Sequence, residues 1–87
     1  MRSNDDILKK IVEEYPDEVL LKADGLDKAV IGVDINSYRL VYSFKKCLRV
    51  LMEDMGMEYD DALDYFYYNI SGAYVGEHTP IWVNNNF

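Results

Sequence analysis

Between residues 29 and 43 the chain carries a run rich in β-branched residues, 29–35, and a second one of apolar and aromatic character, 38–43, parted only by Asn36 and Ser37. Such runs suit the pleated, half-buried surface of a strand, and a two-residue polar break between them predicts a tight hairpin. On both sides of this block the apolar residues recur at a helical period instead. That switch of period excludes an all-helical bundle and an all-β sandwich, and points to an α+β fold.

The flanking helices can be placed from their stripes. The first runs from Asp5 to about Tyr15, with Ser3 or Asn4 as its cap and Ile7, Leu8, Ile11, Val12 and Tyr15 on its apolar side. Pro16 stops it or opens a short further turn over residues 17–20, and Gly25 marks a loop. Ser43 caps a second helix over residues 44–55. There Phe44, Cys47, Leu48, Leu51, Met52 and Met55 form a clean stripe, and Gly56 is placed to end it in the left-handed conformation. A third helix over residues 59–70 has Tyr59, Ala62, Leu63, Phe66 and Ile70 on one side and Asp61, Asp64, Tyr65 and Tyr68 on the other. Pro80 opens a short last strand over residues 80–83, with Trp82 expected in the core or at a dimer interface. Within the hairpin, strict alternation puts Ile31, Val33 and Ile35 on one face with Leu40 and Tyr42, and Gly32 signals a bulge or close backbone packing. The expected order is α-β-β-α-α-β. It makes a single domain over residues 1–87, built as a three-stranded antiparallel sheet with helices packed on one face.

Charge is distributed unevenly. Residues 1–49 hold nine acids and nine bases, whereas residues 50–87 hold seven acids and no lysine or arginine, so the net charge of −7 belongs to the later part. That balance argues against nucleic acid or an anionic membrane as a direct ligand and leaves a basic protein surface as a suitable partner. No apolar run is long enough for a signal peptide or a membrane span, and the single cysteine permits no internal disulfide. A cytoplasmic location is the expectation.

Two candidate sites follow. Asp60, Asp61, Asp64, Tyr65 and Tyr68 would present carboxylates and aromatic anchors on one helix face, a fitting surface for a basic partner. The segment holding Asn69, Gly72, Gly76, Glu77, His78, Thr79 and Pro80 is either a structural loop or a ligand-binding one. In it the glycines permit unusual dihedrals, and Glu77 and Thr79 can bond loop amides. No catalytic, cofactor or metal site is predicted. The acids from Glu53 to Asp64 lack calcium-loop spacing. Glu77, His78 and Thr79 are sequence neighbours, whose side chains diverge, and no nucleophile accompanies them. Cys47 lies on an apolar stripe, which predicts a buried, inert thiol.

The block Asn69-Ile70-Ser71-Gly72-Ala73-Tyr74-Val75-Gly76-Glu77-His78-Thr79-Pro80-Ile81, with Ala62-Leu63-Asp64-Tyr65-Phe66 and residues 24–33 and 51–57, resembles a family of small uncharacterised proteins of bacteriophages, prophages and some bacterial genomes. The likeness covers roughly three quarters of the chain. It departs at Glu58, where similar proteins favour a threonine cap. The resemblance carries no established activity. It implies a phage or mobile-element origin, and small acidic proteins of that origin often bind a host protein, such as a defence nuclease or a polymerase. The function expected is therefore a non-enzymatic interaction module, of a kind able to inhibit a host nucleic-acid-binding or defence protein. The alternatives are a small-molecule binder that sequesters a nucleotide signal and a structural homodimer.

Overall fold

A computed structural model describes residues 4–73 and 76–85. The proposed Ser3 cap, and Tyr74 and Val75, lie outside the described residues. Helix α1 spans Asn4–Glu14, β1 Val30–Val33, β2 Leu40–Ser43, α2 Phe44–Glu53, α3 Tyr59–Tyr65 and β3 Ile81–Val83. The α+β class and the order of elements agree with the sequence reading. A 3₁₀ turn, Asp27–Ala29, leads into β1.

The sheet has the order β1-β2-β3. β1 pairs antiparallel with β2, but β3 runs parallel to β2, so the sheet is mixed where an antiparallel one is expected. A hairpin turn can only reverse the chain, whereas the long connection through α2 and α3 can return it to either end of β2. The sequence pattern of a three-residue strand carries no sign of its direction.

The hairpin also differs. Instead of a two-residue turn, residues 34–39 form the connection. Asp34 N–H donates to the Arg39 carbonyl at 2.9 Å, and Tyr38 N–H donates to the Asp34 carbonyl at 2.7 Å. Tyr38 adopts φ 56°, a conformation that costs a β-capable aromatic about 1 kcal/mol, so strand geometry starts only at Leu40. Its ring lies edge-on to Tyr15 at 5.6 Å. The Asp34 carboxylate organises the turn by accepting from the Ser37 hydroxyl and, at 3.4 Å, from Asn36 N–H.

Gly32 marks a bulge, as its place mid-strand suggests. The register steps from Val30 opposite Tyr42 to Gly32 opposite Val41, leaving Ile31 as the extra residue. One extra residue exchanges the faces of everything beyond it. Val30 and Val33, which strict alternation would put on opposite faces, therefore both turn to the core, opposite Tyr42 and Leu40; Ile31 is only half-buried, and Ile35, expected on its face, is 70% exposed because it lies past β1 in the connection.

Core packing follows the stripes with exceptions at their ends. Leu8, Ile11, Cys47, Leu48, Leu51, Ala62 and Phe66 are buried as predicted, while Val12, Met52, Met55 and Tyr59 are exposed. Ser43 ends β2 and caps α2 at once: its hydroxyl accepts from Lys46 N–H at 3.3 Å and donates to the Asn85 side chain at 3.2 Å. α2 ends at Glu53, and Gly56 takes φ 71° while Met57 N–H reaches the Leu51 carbonyl at 3.1 Å. At the centre Tyr42 is fully buried, and its hydroxyl accepts from Ala23 N–H at 2.8 Å.

Replacing Tyr42 with phenylalanine keeps the ring and orphans the Ala23 amide, so unfolding free energy should fall by about 1–3 kcal/mol in urea titrations. A change within error of zero would show that the hydroxyl is dispensable. The Asp34 carboxyl is held below its ordinary 3.8, first by the Ser37 hydroxyl and then by the Asn36 amide. A depressed carboxyl stabilises the fold above the unfolded value and loses that contribution as pH falls through the folded one. The stability gap between wild type and Asp34→Ala should thus be constant near neutrality and close below pH 3.8. Denaturation curves collected from pH 3 to pH 6 measure it.

Candidate interaction face and adjacent cleft

The third helical segment changes character part-way. α3 keeps α geometry through Tyr65, and Phe66–Ile70 then forms a wider π turn, closed by Ser71 N–H donating to the Phe66 carbonyl at 2.8 Å. Phe66 is what this turn protects. It is 2% exposed and meets Phe44 at 5.0 Å and Trp82 at 5.5 Å, both edge-to-face. This aromatic cluster ties α3 to the start of α2 and to β3. Glu58 precedes the helix without capping it through its side chain.

With Phe66 anchored, the residues around it are fixed in direction. Asp60, Asp61 and Asp64 are exposed, and Tyr68 is 83% exposed. The structure therefore brings four of the five predicted face residues onto the outer side of one element. Tyr65 is 40% exposed and stands at the edge of that face. Tyr59 and Tyr67, which the sequence reading does not assign to the face, are also more than half exposed. Tyr67 escapes the wheel argument because it rests its ring against Phe44 at 5.9 Å, beside the core and not within it.

The predicted loop residues separate into different roles. Gly76 has φ 105°, as its unusual-dihedral role requires, and its carbonyl accepts from the Thr79 hydroxyl at 2.7 Å and from Thr79 N–H at 3.2 Å. Gly72 has an ordinary dihedral. Its smallness matters because a Cβ there would lie 3.2 Å from the Tyr67 carbonyl of the π turn. Thr79 also accepts at its own carbonyl, from Arg39 Nε at 2.5 Å, and Glu77 is exposed. Among the described residues, His78 Nδ1 and Trp82 Nε1 are buried and find no hydrogen-bond partner.

Asn69 and Pro80 join Tyr65 at a cleft of about 260 Å³, so the two candidate sites meet there. Leu26, Leu51, Ile70 and Trp82 supply apolar lining, and Lys22 and Asp24 come from the loop before β1. The participation of that loop is not legible in the sequence. It depends on the Tyr42 hydroxyl holding Ala23. Among the described residues, no three His, Cys, Asp or Glu side chains are grouped so as to hold a metal ion, and no helix is long and apolar enough to cross a membrane.

No family model, curated protein or solved structure matches the chain. The site has to be read from its own chemistry. Cys47 adds nothing reactive to it: the side chain is fully buried, and burial pushes the thiol up to about 12. A thiolate is the reactive form. A disulfide-exchange reagent at pH 8 should therefore label Cys47 only as fast as the chain opens, and at once in denaturant. Rapid labelling of the folded protein would contradict the buried position.

Proposed function

We propose that this protein is a non-enzymatic interaction module of phage or mobile-element type, and that it docks the acidic, tyrosine-bearing face of α3 onto a basic surface of a host protein. A host nucleic-acid-binding or defence protein fits the chemistry, because carboxylates spaced along a helix present negative charge to a groove that ordinarily meets phosphates.

One observation carries the reading. Tyr59 and Tyr65 of α3 and Tyr67 and Tyr68 of the π turn that continues it are 52%, 40%, 56% and 83% exposed. They stand among the exposed acids Glu58, Asp60, Asp61 and Asp64, in a part of the chain that has no lysine or arginine. Aromatic residues left in water gain nothing for the fold. Tyrosine enriches protein interfaces because it offers large contact area at low entropic cost and keeps a polar tip. The carboxylates add direction to the encounter and discriminate against acidic surfaces.

The small-molecule alternative gains a cleft but not a suitable charge. Lys22 lines it, with Asp27 at 3.5 Å from the ammonium and Asp24 also in the lining, which is a poor setting for a polyanionic nucleotide. The homodimer alternative is separated by light scattering across a concentration series.

The test uses immobilised wild type and the double variant Asp61→Lys, Asp64→Lys with lysate of the host. Both positions are exposed, so the variant should retain its circular dichroism and melting temperature. Wild type should retain a discrete partner that the variant does not, and roughly 0.5 M salt should release it, since the screening length is then only a few ångströms. Capture that survives both the salt and the charge reversal would rule out the electrostatic docking mode.

A further inference from the structure

We infer that the cleft beside α3 receives one large apolar side chain from a basic segment of the docked protein. This rests on the reading of α3 as a docking face and specifies the partner's chemistry there.

The size of the cleft is the first argument. At about 260 Å³ it falls just below the roughly 300–1,000 Å³ of typical small-molecule sites. It suits one bulky side chain better than a whole cofactor. Its lining is the second. Leu26, Leu51 and Trp82 offer apolar contact, and burying an aromatic or leucine side chain against them is favourable in proportion to the area removed from water.

Charge supplies the third argument. Lys22 is the cation in the lining, and its ammonium lies 3.5 Å from Asp27. Asp24 shares the lining, and Asp61 stands one helical turn before Tyr65 on the same ridge of α3. The surroundings are therefore net negative. They repel an anionic segment and attract a basic one. Continuity is the fourth argument. Tyr65 belongs to the cleft and to the edge of the acidic face, so a protein covering the face also covers the cleft mouth. An apolar anchor in a pocket, ringed by charges that act mainly on encounter, is the usual form of an interface hot spot. By contrast, the groove along α2 contains Lys45 and Arg49, and a basic segment would not choose it.

The experiment follows the indole N–H resonance of Trp82, the single tryptophan, in the full-length protein. Four probes are titrated: acetyl-Lys-Arg-Phe-Lys-Arg-amide, the same peptide with alanine for phenylalanine, acetyl-Glu-Asp-Phe-Asp-Glu-amide, and free phenethylamine. The basic phenylalanine peptide should shift the resonance saturably, with a dissociation constant of about 1 mM or tighter. The alanine peptide should bind about tenfold more weakly, and the acidic peptide should not saturate. Ala73 is exposed and lines the cleft, so Ala73→Phe should fill it without disturbing the core and abolish the phenylalanine advantage.

The inference is overturned if the phenylalanine and alanine peptides bind alike, if the acidic peptide binds as well as the basic one, or if no probe shifts the resonance. It is also overturned if phenethylamine binds as tightly as the peptide, which would mark a small-molecule site. Lysate capture by the Asp61→Lys, Asp64→Lys variant reads the docking face separately. Salt-sensitive capture with failed peptide titrations would remove the cleft occupant and leave the face standing. The reverse pattern would remove the face.

Discussion

The hydrogen bond from the Ala23 amide to the Tyr42 hydroxyl does more than satisfy two buried polar groups. Tyr42 sits on the central strand, opposite Val30 in the antiparallel ladder and opposite Trp82 in the parallel one, and its ring lies 5.0 Å from that of Trp82. Its hydroxyl then reaches a segment that has no regular structure and draws it against the core. One side chain thus fixes three parts of the chain that are remote in sequence. Burial holds its phenol above the ordinary 10.0, so the group stays a neutral partner for the amide throughout the physiological range.

From Tyr42 the chain passes through Ser43 directly into α2. With strand end and helix cap in one residue, no loop intervenes to absorb motion, and the angle between β2 and α2 is set by the ladder and the cap together. Phe44, the first residue of α2, then receives Phe66, and Phe66 receives Trp82. The π turn follows from this chain of contacts. Phe66 stays in the core, Ile70 half-buried and Tyr68 in water, the sides that regular helical spacing also gives them. π turns of this kind recur near functional sites.

What repeats along the chain is legible in its sequence, and what interrupts the repeat is not. The stripes of α1 and α2, the Ser43 cap, the left-handed Gly56 and the buried Cys47 all follow from local rules that need only a few neighbours. The hairpin did not, because a carboxylate at Asp34 that can gather Ser37 and Asn36 competes with a tight turn, and that competition is decided by geometry rather than composition. The Gly32 bulge is visible as a glycine, yet its consequence, Val30 and Val33 both turned to the core with Ile31 between them, depends on which strand residue is skipped. The direction of β3 depends on a connection through two helices. The acidic face was legible because it is helical and polar. The cleft was not, since Lys22, Leu51, Tyr65 and Trp82 have no sequence relation and meet only through the tertiary fold.

The location of the charge takes on a different meaning once the cleft is included. By sequence, the acidity belongs to the later part of the chain and the earlier part is neutral. In space, the neutral part contributes Lys22, Asp24 and Leu26 to the cleft, and Arg39 braces the turn at Thr79 that leads into Pro80 and β3. The two parts therefore divide the work. The earlier one holds the loop and the wall of the cleft in place by short-range hydrogen bonds, Ala23 to Tyr42 and Arg39 to Thr79. The later one presents carboxylates whose long-range field falls off with ionic strength. A ligand held only by the field would be lost in salt. One that also buries an apolar anchor would keep part of its affinity, because hydrophobic contact is not screened. The residual binding left at high salt is thus a direct measure of how far the cleft, and not only the acidic face, takes part.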